Sequence, residues 1–86
     1  MATYYLEVIT RDRVFFEGQV DRIVARGVEG EFAVLANHSP MVTNLKAGAL
    51  RIFNPEKEVK EASLSEGFIK VTPKHVIIMA DTAQWT

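Results

Sequence analysis

The two histidines are the first candidates for catalytic or metal-binding chemistry in this sequence. A general base needs an orienting partner and a nucleophile, and a metal site needs about three protein ligands. His38 lies in a polar run before Pro40, whereas His75 falls in a different predicted strand, and no His-x-x-x-His pair or Gly-x-Ser-x-Gly motif occurs. We therefore expect His38 to be a loop residue in a hydrogen-bonding or packing role, with no catalytic residue, no metal and no cofactor. A small hydrolase or metal enzyme centred on His38 is kept as an alternative.

Two closely spaced carboxylates, Glu29 and Glu31, are the second candidates. They could act as a paired acid and base, but beside turn glycines a solvated position is favoured over a catalytic one. The run Gly27-Val28-Glu29-Gly30 is also too acidic to cradle a phosphate, because its carboxylates would repel an anion. A more specific possibility is that the two carboxylates dock to a basic loop on another protein.

Both sets of residues lie in one stretch, residues 27–43, whose local pattern explains how they would be positioned. Gly27 and Gly30 favour a tight turn, and residues 32–35 form an apolar run typical of a short buried strand. The strand ends before Pro40, because proline cannot donate to a ladder and restricts the residue before it. An acidic tip joined by a strand to a polar corner indicates a surface for display to a partner.

Composition excludes several classes of function. The chain has 86 residues, a formal net charge of -1 and no cysteine, so it lacks the basic face typical of nucleic-acid binding and cannot form disulfides. The N-terminus has no signal-peptide core, and the longest apolar run, residues 76–80, is far shorter than the roughly 20 residues that cross a membrane. Any membrane association is therefore expected to be indirect, through a partner.

Apolar and polar residues alternate with a period of two along most of the chain, as in half-buried strands. Strands are predicted at residues 4–10, 14–16 (ending at Gly18), 20–25, 32–35, 41–45, 49–53, 59–65, 68–72 and 75–80. Short strands separated by turn signals predict an all-β fold, a flattened antiparallel β-sandwich of roughly eight to ten strands without a C-terminal helical hairpin. We expect one domain over residues 1–86, with residues 81–86 as a short tail. The predicted core is Leu6, Val8, Ile23, Phe32, Val34, Leu50, Ile52, Leu64, Ile69, Val71 and Ile78.

Several motifs, in order and spacing, resemble the N-terminal β-sandwich domain of the epsilon subunit of bacterial and chloroplast F-type ATP synthase. The similarity covers nearly all 86 residues. The motifs are Phe16-x-Gly18, Gly27-Val28-Glu29-Gly30-Glu31-Phe32-Ala33-Val34-Leu35, His38-Ser39-Pro40, Leu45-Lys46-Ala47-Gly48, Leu64-Ser65-Glu66-Gly67-Phe68-Ile69-Lys70-Val71 and Ala80-Asp81-Thr82-Ala83.

The resemblance implies a non-catalytic central-stalk, or rotor, subunit that links the gamma shaft to the c-ring and couples proton transport to ATP synthesis. By position, it places Glu29, Gly30 and Glu31 on the side facing the c-ring. The side facing gamma would contain Thr10, His38, Met41, Val42 and Thr43. It also implies a peripheral location on the cytoplasmic face of the bacterial plasma membrane, or on the stromal side of the thylakoid.

The sequence departs from the family pattern at two places. Ala36-Asn37 stands where the family usually has Pro-Gly before the histidine, and asparagine tolerates left-handed backbone geometry better than most residues. Most family members continue after Asp-Thr-Ala into two helices that can inhibit hydrolysis and, in some, bind ATP. Without those helices we expect no ATP binding by residues 1–86. The alternative function is a free-standing β-sandwich that binds a peptide or small ligand.

Overall fold

The computed structural model describes residues 2–56 and 58–86, so residues 1 and 57 of the predicted domain lie outside the described part. Within that part the predicted all-β fold is confirmed. No helix in it is long and apolar enough to cross a membrane. The ten strands found there are β1 (Tyr4–Ile9), β2 (Val14–Val20), β3 (Arg22–Gly27), β4 (Gly30–Leu35), β5 (Met41–Leu45), β6 (Gly48–Phe53), β7 (Val59–Leu64), β8 (Gly67–Thr72), β9 (His75–Ala80) and β10 (Ala83–Trp85).

Strand pairing divides the ten strands into two layers. The hydrogen-bonded order is β10-β7-β6-β3-β5-β8-β9-β1-β2, with β4 attached to β3. Because β3 and β5 pair only at Gly27 and Leu45, this contact is the corner between a first layer (β10, β7, β6, β3, β4) and a second layer (β5, β8, β9, β1, β2). The pairs are antiparallel except β1 with β9, which are parallel. A hairpin turn can join only antiparallel neighbours, whereas β1 and β9 are connected through the intervening strands, so they are free to pair in parallel.

The core consists of the inward-facing residues of both layers. Ten of the eleven predicted core residues are buried, and only Phe32, on β4 near the β3–β4 turn, is half-buried. Burial of alternate residues along each strand follows the period of two that the sequence shows. The core also contains residues that the prediction left out: Tyr4, Val20, Ala25, Leu45, Ala62 and Val76.

Two predicted strand boundaries differ from the structure. The second strand does not end at Gly18 but continues to Val20, with Gly18 paired to Leu6. Gly18 has a φ of 156°, a backbone conformation that glycine adopts easily, so a glycine here permits the strand to continue rather than ending it. The third strand correspondingly begins at Arg22 instead of residue 20.

The end of the chain also differs from the expected tail. Residues 83–85 form β10, which pairs with β7 at the edge of the first layer. Trp85 stacks on Phe15 of the second layer, with ring centroids 4.3 Å apart, and meets Phe16 edge-on at 6.2 Å. We call this contact the aromatic closure, because it joins the two layers along the side where β10 and β2 are the outermost strands.

A second contact between the layers lies near the opposite side. The buried hydroxyl of Tyr4 on β1 donates a 2.8 Å hydrogen bond to the carbonyl oxygen of Val34 on β4. Burial raises the pKa of the Tyr4 hydroxyl well above its usual value near 10. A hydrogen bond with the Ile23 backbone lowers this pKa, but its effect is smaller than that of burial. Tyr4 therefore remains a neutral donor at physiological pH.

Candidate partner-binding surfaces

The acidic tip is a two-residue hairpin turn between β3 and β4. Gly27 pairs with Gly30 across the turn, and Gly30 has a φ of 127°, which side-chain-bearing residues rarely adopt. Glu29 and Glu31 are both exposed. The Glu31 carboxylate lies 3.7 Å from the Arg51 guanidinium, with both side chains about half exposed, so the pair is worth at most about 1 kcal/mol. The tip is thus a tight turn whose negative charge is partly offset by one arginine.

The polar corner that holds His38 connects β4 to β5. Asn37 adopts the left-handed conformation, with a φ of 65°, as its tolerance of that geometry allows. Its backbone N–H donates a 3.0 Å hydrogen bond to the carbonyl of Pro73, which ties the corner to the β8–β9 turn. The His38 Nδ1–H donates a 2.7 Å hydrogen bond to the carbonyl oxygen of Ser39. This contact gives His38 a local hydrogen-bonding role of the kind expected from the sequence.

The structure brings the tip and the corner together around one groove. Residues 28–33 of the hairpin form one wall, and His38, Met41 and Thr43 form the other, around a volume of about 630 Å³. We call it the β4–β5 groove, because β4 and β5 are the outermost strands of their layers on this side. We call the residues predicted to face the c-ring and those predicted to face gamma the predicted c-ring set and the predicted gamma set. All of the c-ring set, and His38, Met41 and Thr43 of the gamma set, therefore share one surface.

His75 lies in the second layer, on a strand that does not line this groove. Its Nε2 is 2.8 Å from a carboxylate oxygen of Glu7, and its ring packs at a tilt against Tyr5 with centroids 5.7 Å apart. Tyr5 donates a 2.6 Å hydrogen bond to Glu17. Among residues 2–56 and 58–86, no three histidine, aspartate or glutamate side chains are close enough to hold a metal ion. The two histidines thus occupy separate hydrogen-bonded settings.

Sequence reasoning missed an apolar row on the outer face of the second layer. Phe68 pairs with Met79, Met79 with Ile9, and Ile9 with Val14, so these four residues lie side by side across β8, β9, β1 and β2. All point away from the core, and Phe68, Met79 and Val14 are 40%, 41% and 49% exposed. We call this set the outer apolar row. The signal in the sequence is β9, whose residues 76–79 are apolar at successive positions instead of alternating with polar residues.

The remaining two members of the predicted gamma set lie beside the outer apolar row. Thr10 follows β1 directly, and with Ile9, Phe68 and Met79 it lines a shallow depression along the row. Val42 on β5 is 67% exposed and pairs with Lys70 of β8. Lys70 is two residues after Phe68, so it lies on the same outer face of β8, next to the row. The predicted gamma set is therefore divided between the outer face of the second layer and the β4–β5 groove.

A comparison with protein families identifies the fold. The model of the family described as "ATP synthase, Delta/Epsilon chain, beta-sandwich domain" matches residues 3–86. The chain belongs to this family. The match includes the hairpin tip, the polar corner, the outer apolar row and β10, so every surface described above is part of the delta/epsilon-chain β-sandwich.

Individual relatives agree with this assignment. The ATP synthase epsilon chain of Ruminiclostridium cellulolyticum is 44% identical over 85 residues, which are 99% of this chain and 63% of the relative. The sodium-ion-specific ATP synthase epsilon chain of Acetobacterium woodii is 39% identical over 83 residues, 96% of this chain and 62% of the relative. This delta/epsilon-chain β-sandwich thus spans a little under two thirds of the length of these relatives.

A solved structure shows the same architecture. A chain in the mitochondrial ATP synthase of Euglena gracilis, determined as an OSCP, F1 and c-ring assembly, superposes with a TM-score of 0.93 at 28% sequence identity. The superposition covers 99% of this chain and 54% of that one. The matched part of that chain and the present chain therefore have the same fold.

Proposed function

We propose that the chain is a non-catalytic central-stalk, or rotor, subunit of an F-type ATP synthase, acting as one domain over residues 1–86. It would link the gamma shaft to the c-ring and so couple ion transport to ATP synthesis. The observation that carries this proposal is the family match over residues 3–86.

Contact with gamma would centre on the outer apolar row. An outward-facing row of four apolar side chains across four strands, three of them exposed, is the kind of surface that marks a protein–protein interface. Thr10 and Val42, which the family resemblance assigns to gamma, lie beside this row on the same face. Apolar contacts of the row would supply most of the affinity, because a few buried side chains dominate binding energy in protein interfaces.

Contact with the c-ring would involve the hairpin tip. Glu29 and Glu31 are exposed at a tight turn that the positive φ of Gly30 permits. Exposed carboxylates contribute modest affinity and mainly set the register of a basic partner loop. The family resemblance assigns His38, Met41 and Thr43 to gamma, and these residues line the same groove as the tip, so the groove would lie where both partners meet the chain. In the complex the chain would lie at the membrane surface, held there by its partners.

Binding of gamma to the outer apolar row is tested by Phe68→Ala. Loss of a central aromatic contact is expected to weaken binding to the purified gamma subunit by about 2 kcal/mol, a roughly 30-fold rise in Kd. The matched control is Val59→Ala, which truncates a side chain of similar exposure in the first layer, outside the row. Isothermal titration calorimetry gives Kd, and circular dichroism checks that both variants are folded.

Two results would contradict parts of the proposal. If Phe68→Ala binds gamma as tightly as the unchanged chain, the interface lies elsewhere. If the unchanged chain does not bind gamma at all, the stalk function itself fails, and a free-standing binding module becomes the better explanation.

A further inference from the structure

The free edge of β4 carries no visible protection against pairing with another chain. β4 is six residues long, pairs only with β3, and keeps a continuous register without a bulge. It contains no proline and no lysine, which are common means of blocking an edge. Two other outermost strands differ: β10 has three residues, and β2 pairs with β1 through a bulge and places Phe15 against Trp85.

The backbone groups available at this edge follow from the hairpin. In a two-residue hairpin, the residues that flank the turn exchange both hydrogen bonds, and hydrogen-bonded pairs then alternate along the strands. Gly27 and Gly30 are the flanking pair, so Phe32 and Val34 also bond to β3. The N–H and C=O groups of Glu31, Ala33 and Leu35 therefore point away from β3, along the free edge.

The side chains around the edge indicate what kind of segment it would accept. Val28 and Leu35, at the two ends of the edge, are 58% and 55% exposed and form apolar contacts for a strand laid between them. The groove beside the edge is lined by Glu29 and Glu31 on one wall and by Met41 on the other. An extended segment with basic side chains toward the tip and apolar ones toward the groove would complement both features.

We propose that β4 is a β-augmentation site, which takes up an extended, basic segment of a partner polypeptide as an additional strand of the first layer. Backbone hydrogen bonds to Glu31, Ala33 and Leu35 would provide the affinity, and the groove would select the side chains. The proposal goes beyond the stalk function, and the groove beside β4 is also on the side proposed above for the c-ring. Its test is independent of gamma binding to the outer apolar row, since that row belongs to the other layer.

The test uses the 86-residue chain and a synthetic peptide in which lysine and valine alternate. Titration followed by nuclear magnetic resonance is expected to shift the amides of Glu31, Ala33 and Leu35 and to slow their hydrogen exchange. The same peptide with N-methylated amides at alternate positions cannot complete the ladder and is expected to bind at least tenfold more weakly.

Substitutions at the edge provide the decisive comparison. Ala33→Pro removes one edge-facing N–H without removing a bond to β3, and is expected to raise the Kd of the peptide at least tenfold. Ala33→Val keeps the N–H and serves as the matched control, with a Kd within a factor of about three of the unchanged chain. Glu31→Lys tests the charge preference independently, because it should weaken the lysine peptide and strengthen a version in which glutamate replaces lysine.

Each outcome is informative. Equal binding by Ala33→Pro and Ala33→Val, shifts centred on the outer apolar row, or no binding at millimolar peptide would each overturn the proposal. If gamma binding fails in the earlier experiment while the peptide still adds to β4, the stalk function is wrong and the augmentation site remains.

Discussion

The aromatic closure is predicted to be a major contributor to the stability of the fold, and Trp85→Ala tests this directly. Trp85 is 43% exposed, so taking about 250 Å² for a fully buried tryptophan, the covered area is on the order of 140 Å². At about 25 cal/mol per Å², burial of that area corresponds to about 3.5 kcal/mol as an upper bound. Ordering of the terminal strand offsets part of this, and we expect Trp85→Ala to lower the free energy of unfolding by about 2–3 kcal/mol.

The assay is urea and thermal unfolding of the 86-residue chain, followed by circular dichroism. For a domain of this size, 2–3 kcal/mol corresponds to a fall in Tm of about 10–20 °C. Trp85→Phe is the matched control, because it keeps a ring that can stack on Phe15, and it should lose about 1 kcal/mol or less. A double-mutant cycle with Phe15→Ala should give a coupling energy of about 0.5–1.5 kcal/mol.

Two observations would refute this reasoning. A loss below about 0.5 kcal/mol in Trp85→Ala would mean that β10 and its tryptophan lie on the sandwich without stabilising it. Additive effects of Trp85→Ala and Phe15→Ala would mean that the two rings contribute separately, and that the layers are not joined through their contact.

Two further predictions concern contacts between strands. Tyr4→Phe removes the hydrogen bond to Val34 and should cost about 1 kcal/mol at pH 7. Because burial raises the pKa of Tyr4 in the folded state, the unfolded chain loses that proton first, near pH 10, so Tyr4 should make stability fall as the pH rises above about 10. Urea midpoints measured from pH 8 to pH 11 should therefore decline less steeply in Tyr4→Phe, and parallel curves would contradict the assignment. Gly67→Ala would place a Cβ on the Met79 carbonyl oxygen and 2.9 Å from the Ala80 Cα. Gly67→Ala should lower the free energy of unfolding, measured in urea, by about 3 kcal/mol or more, because the clashing atoms are backbone and cannot move aside as a side chain can. A loss under about 1 kcal/mol would show that β8 and β9 separate freely.

Much of the fold could be predicted from the sequence because strand burial is a local property. In β8, Ile69 and Val71 alternate with Lys70, and the structure buries the first two and exposes the third. The left-handed corner was also predictable, since Asn37 is one of the few residues that adopt this conformation readily. Such features depend on a residue and its immediate neighbours in the chain.

Features that depend on distant partners could not be predicted in the same way. Trp85 forms a strand and a stack because Phe15, 70 positions earlier, lies within reach only after both layers assemble. Phe32 is half-exposed although Val34 on the same strand is fully buried, because Phe32 lines the β4–β5 groove, which the residues of β4 alone do not specify. The outer apolar row likewise exists only through the register of four strands, so single-strand patterns gave no reason to group Phe68 with Val14.

The proposed stalk role places a mechanical demand on these same long-range contacts. The surface proposed for gamma belongs to the second layer, and the hairpin tip proposed for the c-ring belongs to the first. Torque passing from one partner to the other must therefore cross between layers. The described residues offer the Gly27–Leu45 corner, the Tyr4–Val34 hydrogen bond, the aromatic closure and the packed core for this transfer. Because close-packed interiors have low compressibility, the core would resist compression while the other contacts resist sliding of one layer over the other. The contacts that hold the fold together would thus also be the contacts that make it a rigid coupling.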